Sequence, residues 1–405
     1  MLHLRAASTP ALIGNARIPA SLAAEDESTS MVAPARKTLP GLTIVRFFAA
    51  LCIVVYHYYD RSGAHPLVVN LLSGGFFPLF FVLSGFMLTY VARPDQTVRD
   101  FWARRFARLY PLYFAAWLGT CLVVFLTRPL GLFARRLVRY GAPTLVLVQS
   151  WLPNTIHVWN WPSWSMSTEV FFWSLFPLLY PLVGRIRWKG ALLIALVVVN
   201  ALLAILRDSL AVPPVYLFEG TRLQSTLDQY LRHFPPMFLV QFVIGIVLGY
   251  LFIRNGPASR WLWVPTTIVT FVVHALPDPI GGIGSDAFLV ACYCGLVYAL
   301  ASVRVSDSFL TRGLMALGQA GFATFILQSP VWSLYWIALG NPRSARPFLA
   351  LLPYLAVLVA VALLAHRYIE VPASRWIGDR LVPGRSARRT APIAVVPDRS
   401  PVHEA

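Results

Sequence analysis

Apolar residues in this chain come in long runs, not in the one-faced stripes of surface helices or the alternation of half-buried strands. Ten runs stand out, near 42–59, 71–92, 109–126, 166–184, 190–206, 236–253, 261–276, 286–302, 314–338 and 350–366. At about 1.5 Å per helical residue, such runs match a hydrocarbon layer roughly 30 Å thick. Backbone groups in lipid must find partners within their own segment, so each run predicts a helix. The alternation of a membrane β-barrel is missing from the sequence. The expected fold class is therefore all-α: a polytopic transmembrane helix bundle of about ten spans. An eleventh apolar stretch, 141–153, is short and holds Pro143 and Pro153, so it reads as a re-entrant or interfacial piece. No internal repeat of the kind that builds many transporters is visible.

Composition agrees with the runs. The chain is 57% hydrophobic and 13% charged, far from the quarter or so of charged residues in a soluble domain. Its 34 Lys and Arg against 17 Asp and Glu give a net charge of +17. With ten spans the two termini share one side. Most of the basic residues fall on that side, including Arg36, Lys37, Arg99, Arg104, Arg105, Arg108, Arg185, Arg187 and Lys189. Cationic loops stay cytoplasmic, so both termini are expected there, in a multi-pass protein of the cell's inner (plasma) membrane. The charge is thus topological, and with no basic domain outside the membrane a nucleic-acid partner is excluded. Residues 1–38 lack the apolar core of a signal peptide. They read as a disordered or mis-annotated N-terminal extension, with Met31 as a candidate internal translation start. Residues 39–377 form the membrane domain, and 378–405 a disordered, basic, Pro-rich tail. Cys52, Cys121, Cys292 and Cys294 all fall in apolar runs and imply neither disulfides nor a metal. His157, His233, His274 and His366 lack metal-ligand spacing, so no metal or bound cofactor is expected.

Ionisable groups inside a bilayer are costly and mark function. The first run holds Arg46 and His57, eleven residues apart. Three helical turns put them on one face with an axial separation of about 16 Å. Taken singly, Arg46 could snorkel and His57 could be an interfacial histidine. The segment Trp164-Ser165-Met166-Ser167-Thr168-Glu169 opens the fourth run. Glu169 is expected in the first helical turn, where the dipole favours a carboxylate, either as part of a capping box or at the depth of His57. A carboxylate beside an imidazole is the pairing used in general-base catalysis. Asp60 is the less favoured substitute.

The same residues carry a resemblance. Arg46…His57, the run Phe80-Phe81-Val82-Leu83-Ser84-Gly85-Phe86, the stretch Phe101…Arg104-Arg105…Arg108-Leu109-Tyr110-Pro111-Leu112-Tyr113, and Trp164…Glu169 through Pro177 occur in the order seen in the membrane-bound acyltransferase-3 family. The likeness spans about residues 39–370 and closes on Arg367-Tyr368-Ile369-Glu370-Val371-Pro372. Members of that family move acyl groups, most often acetyl, from acyl-CoA to hydroxyls of cell-envelope sugars and some secreted small molecules. This chain departs from the family at two places. The opening Leu-Asp-Gly-Leu-Arg is degraded to Leu39-Pro40-Gly41-Leu42-Thr43. Late in the chain Gly321, Phe322 and Gln328 stand where the family often has Ser, Tyr and His, which removes the expected catalytic chemistry from that segment.

The resemblance implies a division of labour. Arg46 and the basic loop residues Arg104, Arg105 and Arg108 would hold the phosphates of the acyl-CoA donor. The pantetheine arm would run the length from Arg46 to His57. His57 would be the general base or an acyl carrier, oriented by Glu169. Ser84 would contact substrate or simply permit close packing. Trp164 would stack on a sugar, or serve as an interfacial anchor like Trp151, Trp159 and Trp161. The long aromatic loop 127–165 would be the lid over the acceptor, with 207–235, carrying Asp208, Glu219 and Asp228, as the second candidate. The reading is an O-acyltransferase acting on a sugar of an exopolysaccharide, O-antigen or related glycan. The alternative is a proton-coupled transporter or flippase using Arg46, His57 and Glu169 as a relay.

Overall fold

The computed structural model describes residues 38–62, 76–93, 96–210, 215–217, 221–223, 226–275, 286–340 and 347–381. The extension before 38, the Met31 start, Glu219 and the tail beyond 381 lie outside the described residues, as do the side chains of Asp208, Asp228 and His274. The fold is all-α. The one extended pairing among the described residues is a short antiparallel ribbon of Val215–Leu217 with Thr221–Leu223.

The main helices are α1 (Pro40–Ser62), α2 (Phe76–Val91), α3 (Val98–Thr127), α4 (Trp164–Arg185), α5 (Lys189–Leu210) and α6 (Leu239–Asn255). They continue with α7 (Trp263–Ala275), α8 (Asp286–Ala301), α9 (Phe309–Gln319), α10 (Gly321–Ala338), α11 (Pro347–Ala365) and α12 (Val371–Leu381). Six segments are long and apolar enough to cross a membrane, or seven if the bent pair α9–α10 counts as one span. The apolar parts of α2, α7 and α8 are shorter. The ten runs all fall on helices, but length and composition alone support six or seven crossings.

Two expectations need correction at helix starts. The arginines placed in a loop before the third run are helical, because α3 begins at Val98. Thr97 caps it by accepting the Asp100 N–H at 3.1 Å, and Asp100 suits the positive end of the dipole. Pro111 inside α3 does not end the helix. Glu169 is not in the first turn of α4, which begins at Trp164 with no acidic residue in that turn. At the far end, α12 runs to Leu381, past the expected start of the tail. A π-helical turn, His366–Glu370, joins it to α11.

Close backbone packing fixes the centre of the bundle. Gly85 of α2 and Gly245 of α6 lie so near each other's helix that a Cβ on either would strike backbone, at Phe242 and Val82 respectively. Small residues at such crossings are how helices gain contact when lipid supplies no hydrophobic drive. Gly318 does the same against the Thr43 backbone of α1. That contact seats the 56° bend between α9 and α10 beside Arg46. The stretch 141–153 is broken into short turns, with Leu147 at positive φ and Asn154 just after it likewise. Hydrogen bonds from Tyr110, Tyr113 and Trp117 of α3 to its carbonyls tie it to the bundle.

Candidate active site

Among the described residues, two polar centres in the apolar interior hold the candidate site residues. The first is a cavity of about 210 Å³ between α1, α2, α3, α4 and the α9–α10 bend. Its polar lining includes Arg46, Arg105, Arg108, Ser84, Glu169 and Glu370, and its walls are aromatic. Arg105 and Arg108 are three residues apart on α3 and so share a face. Arg104 is not among the lining residues, since the next residue on a helix points about 100° away. Of the three arginines expected to hold a donor from α3, two therefore join Arg46.

Glu169 is held in this cavity by two donors. The Ser84 hydroxyl donates to Oε2 at 2.6 Å, and the Trp173 indole N–H donates to the same oxygen at 3.0 Å. Ser84 is thus engaged by a carboxylate rather than standing free. Glu370 belongs to the π-helical turn and is almost fully buried. Its carboxylate meets His366 Nδ1 at 2.9 Å.

The second centre is His57. Its Nδ1 lies 2.9 Å from Oε1 of Gln328 on α10. The expected Glu169–His57 pairing is therefore not what the structure shows: the carboxylate answers to Ser84 and Trp173, and the imidazole answers to an amide. The late segment thought to be outside the site supplies the histidine's partner. Sequence reasoning missed Gln328 because a glutamine replacing a histidine read as a loss. Its placement in the middle of an apolar run was the available signal.

The tautomer follows from the network. Gln328 Nε2 donates to the Phe325 carbonyl at 2.8 Å. Reversing the amide would oppose Oε1 to that carbonyl, so Oε1 faces the ring and accepts from Nδ1–H. Nε2 then carries the lone pair, and it has no hydrogen-bond partner among the described residues. Trp161 lies edge-on to the ring with centroids 6.4 Å apart. The Trp161 indole N–H is buried and without a hydrogen-bond acceptor among the described residues. The Arg61 guanidinium covers the Trp161 ring at 4.6 Å.

The loop 127–165 is not an open lid here. Asn160 donates to the Ile326 carbonyl at 3.2 Å. That carbonyl is freed from the helical ladder because Pro330, four residues on, has no N–H. Gln149 and Ser150 bind the backbone of Ser163 and Trp164 at 2.7 and 2.8 Å. Trp164 is 4% exposed, and its ring is surrounded by Phe77, Phe81, Phe238 and His233. The stacking surface expected for a sugar is occupied by protein. His157 of this loop meets His233 of the second loop, Nε2 to Nε2, at 2.9 Å.

Comparison with known proteins gives a consistent picture. A family model described as an acyltransferase domain matches residues 39–367. The chain is 30% identical over 391 residues to a Streptomyces mycarofaciens protein named acyltransferase MdmB, covering 89% of this chain and 95% of that one. It is 24% identical over 383 residues to a Staphylococcus aureus protein named O-acetyltransferase OatA, covering 82% of this chain. It spans only 57% of that relative's length. No solved structure matches the chain.

Proposed function

The chain belongs to the acyltransferase-3 family, and on that premise we propose that it is a membrane O-acyltransferase using His57 as general base. The donor is acyl-CoA, with acetyl as the acyl group. The acceptor is a sugar hydroxyl in an exopolysaccharide, O-antigen or related envelope glycan. The observation that carries the reading is the state of His57: a fixed Nδ1–H and an Nε2 with no partner among the described residues, about three turns along α1 from Arg46 of the arginine-lined cavity. A relative named as an O-acetyltransferase supports the choice of acetyl and of an oxygen acceptor.

The chemistry follows from the parts. Arg46, Arg105 and Arg108 hold donor phosphates, because guanidinium groups pair them bidentately. The pantetheine arm runs along α1, bringing the thioester carbonyl to His57. Nε2 takes the proton of the acceptor hydroxyl as its oxygen attacks that carbonyl. The C–O bond forms, the C–S bond breaks, and the imidazolium returns the proton to the departing thiolate. The buried Trp161 N–H is a donor within reach of the reacting end. The orientation expected from the positive-inside rule would have the arginines facing the cytoplasm, where acyl-CoA is made.

The test is donor consumption. The full-length protein in lipid nanodiscs, given acetyl-CoA and envelope glycan, releases free CoA thiol and acetylates the glycan. Mass spectrometry of glycans from a deletion strain shows which ester disappears. An intact donor pool, together with unchanged glycans in that strain, contradicts the proposal.

A further inference from the structure

We propose that Gln328 is a positioning residue for acyl transfer: its amide holds His57 as the Nδ1–H tautomer, so that Nε2 is the proton acceptor. The inference deepens the acyltransferase reading and rests on it. It concerns a residue of this chain that stands where the resemblance leads one to expect a histidine.

Gln328 is built into its place from three sides. It is fully buried on α10. Its amide N–H is committed to the Phe325 carbonyl at 2.8 Å. Its own backbone carbonyl accepts the Tyr354 hydroxyl of α11 at 3.2 Å. Tyr354 in turn stacks on Tyr58, the neighbour of His57, with ring centroids 5.3 Å apart. Two helices thus present one acceptor, Oε1, to one ring nitrogen. A side chain merely filling space needs no such commitment of both ends of its amide.

The choice of an amide has chemical content. A carboxylate at this point would fix the same tautomer, and its charge would also favour the imidazolium. A histidine could be donor or acceptor and would leave the tautomer unspecified. Glutamine specifies the tautomer and adds no charge. The other groups facing His57 are Arg61 and Tyr56 on α1 and His157 on the loop before α4. None of these is a carboxylate, so no anion among the described residues replaces the missing charge. Glu169, the nearest candidate in the sequence, is engaged by Ser84 and Trp173 in the other centre.

The experiment uses native membrane vesicles carrying the full chain, acetyl-CoA labelled in its acetyl group, and the vesicles' own glycan as acceptor. Label incorporation is followed across pH for the wild type, Gln328→Met and Gln328→Glu. Gln328→Met keeps the shape and removes the acceptor. We expect its kcat to fall about 10- to 100-fold with the KM for acetyl-CoA unchanged. Gln328→Glu restores an acceptor. We expect it to recover most of kcat while the acid limb of the rate profile moves up by about one to three pH units. Wild-type kcat in Gln328→Met overturns the proposal. So does a Gln328→Glu profile superimposable on that of the wild type, and this second result stands even if Gln328→Met fails to fold. Absence of label from wild-type vesicles would overturn the acyltransferase reading itself, and the role of Gln328 with it.

Discussion

At the scale of single residues, charge and lone pairs are sorted into two places. Arg46, Arg105 and Arg108 share a cavity with Glu169 and Glu370, whereas His57 stands apart with a neutral partner. Replacing Arg46 by Gln removes a guanidinium from the donor's path. The expected result is a KM for acetyl-CoA raised at least about tenfold, as for loss of one charge-assisted hydrogen bond. Steady-state kinetics against acetyl-CoA checks it, and an unchanged KM removes Arg46 from donor binding. Trp173→Phe leaves Glu169 Oε2 with Ser84 as its remaining donor. Stripping one donor from a buried carboxylate costs about 1–3 kcal/mol, so the unfolding midpoint in detergent should drop. Arg46 and His57 were legible because three turns of one helix relate them. Gln328 was not, because its partner is 271 residues away in the chain and nothing local encodes that contact.

At the scale of elements, the runs of apolar residues identified the helices but not where they end or touch. The α3 arginines read as loop because they are charged, yet the Thr97 cap and the following helix formers carry the helix through them. The apolar run marked only the part that faces apolar surroundings. The spacing of Gly245 and Gly249 on α6 is visible in the sequence, but not that the facing glycine is Gly85. Gly245→Val places a branched side chain on the Val82 backbone. The helices must part, which also displaces Ser84 from Glu169. The expected outcome is loss of monodisperse protein on size-exclusion chromatography, whereas a lipid-facing change such as Leu202→Val leaves the profile as it was. The π-helical turn at His366–Glu370 had no signature beyond the family's closing pattern. Such turns are favoured where a side chain must be re-aimed, here the Glu370 carboxylate toward the cavity.

At the scale of the whole molecule, the helices set two centres in one interior, and segments of the two loops pack together near His57. Those loops meet at His157 and His233. Burial pushes His157 down from 6.5 to about 4, and Arg61 adds to the effect. The folded protein therefore resists a proton that the unfolded chain accepts. This contribution to stability is intact above about pH 6.5 and is lost as the pH falls from there toward 4. Thermal unfolding followed across that window should show a falling midpoint, and His157→Asn should flatten the slope. The sequence marked both loops as lids, but the anchoring of Asn160 to Ile326 and the packing of Trp164 against Phe77 and Phe238 could be seen only once the helices were assembled, because those partners are distant in the chain. The measurement that bears most directly on the account is transfer of labelled acetyl from acetyl-CoA to glycan by membranes carrying His57→Ala. A positioned base contributes about 10²- to 10⁴-fold, so the variant should insert normally and lose at least that much activity. Transfer at the wild-type rate would contradict the central role given to His57.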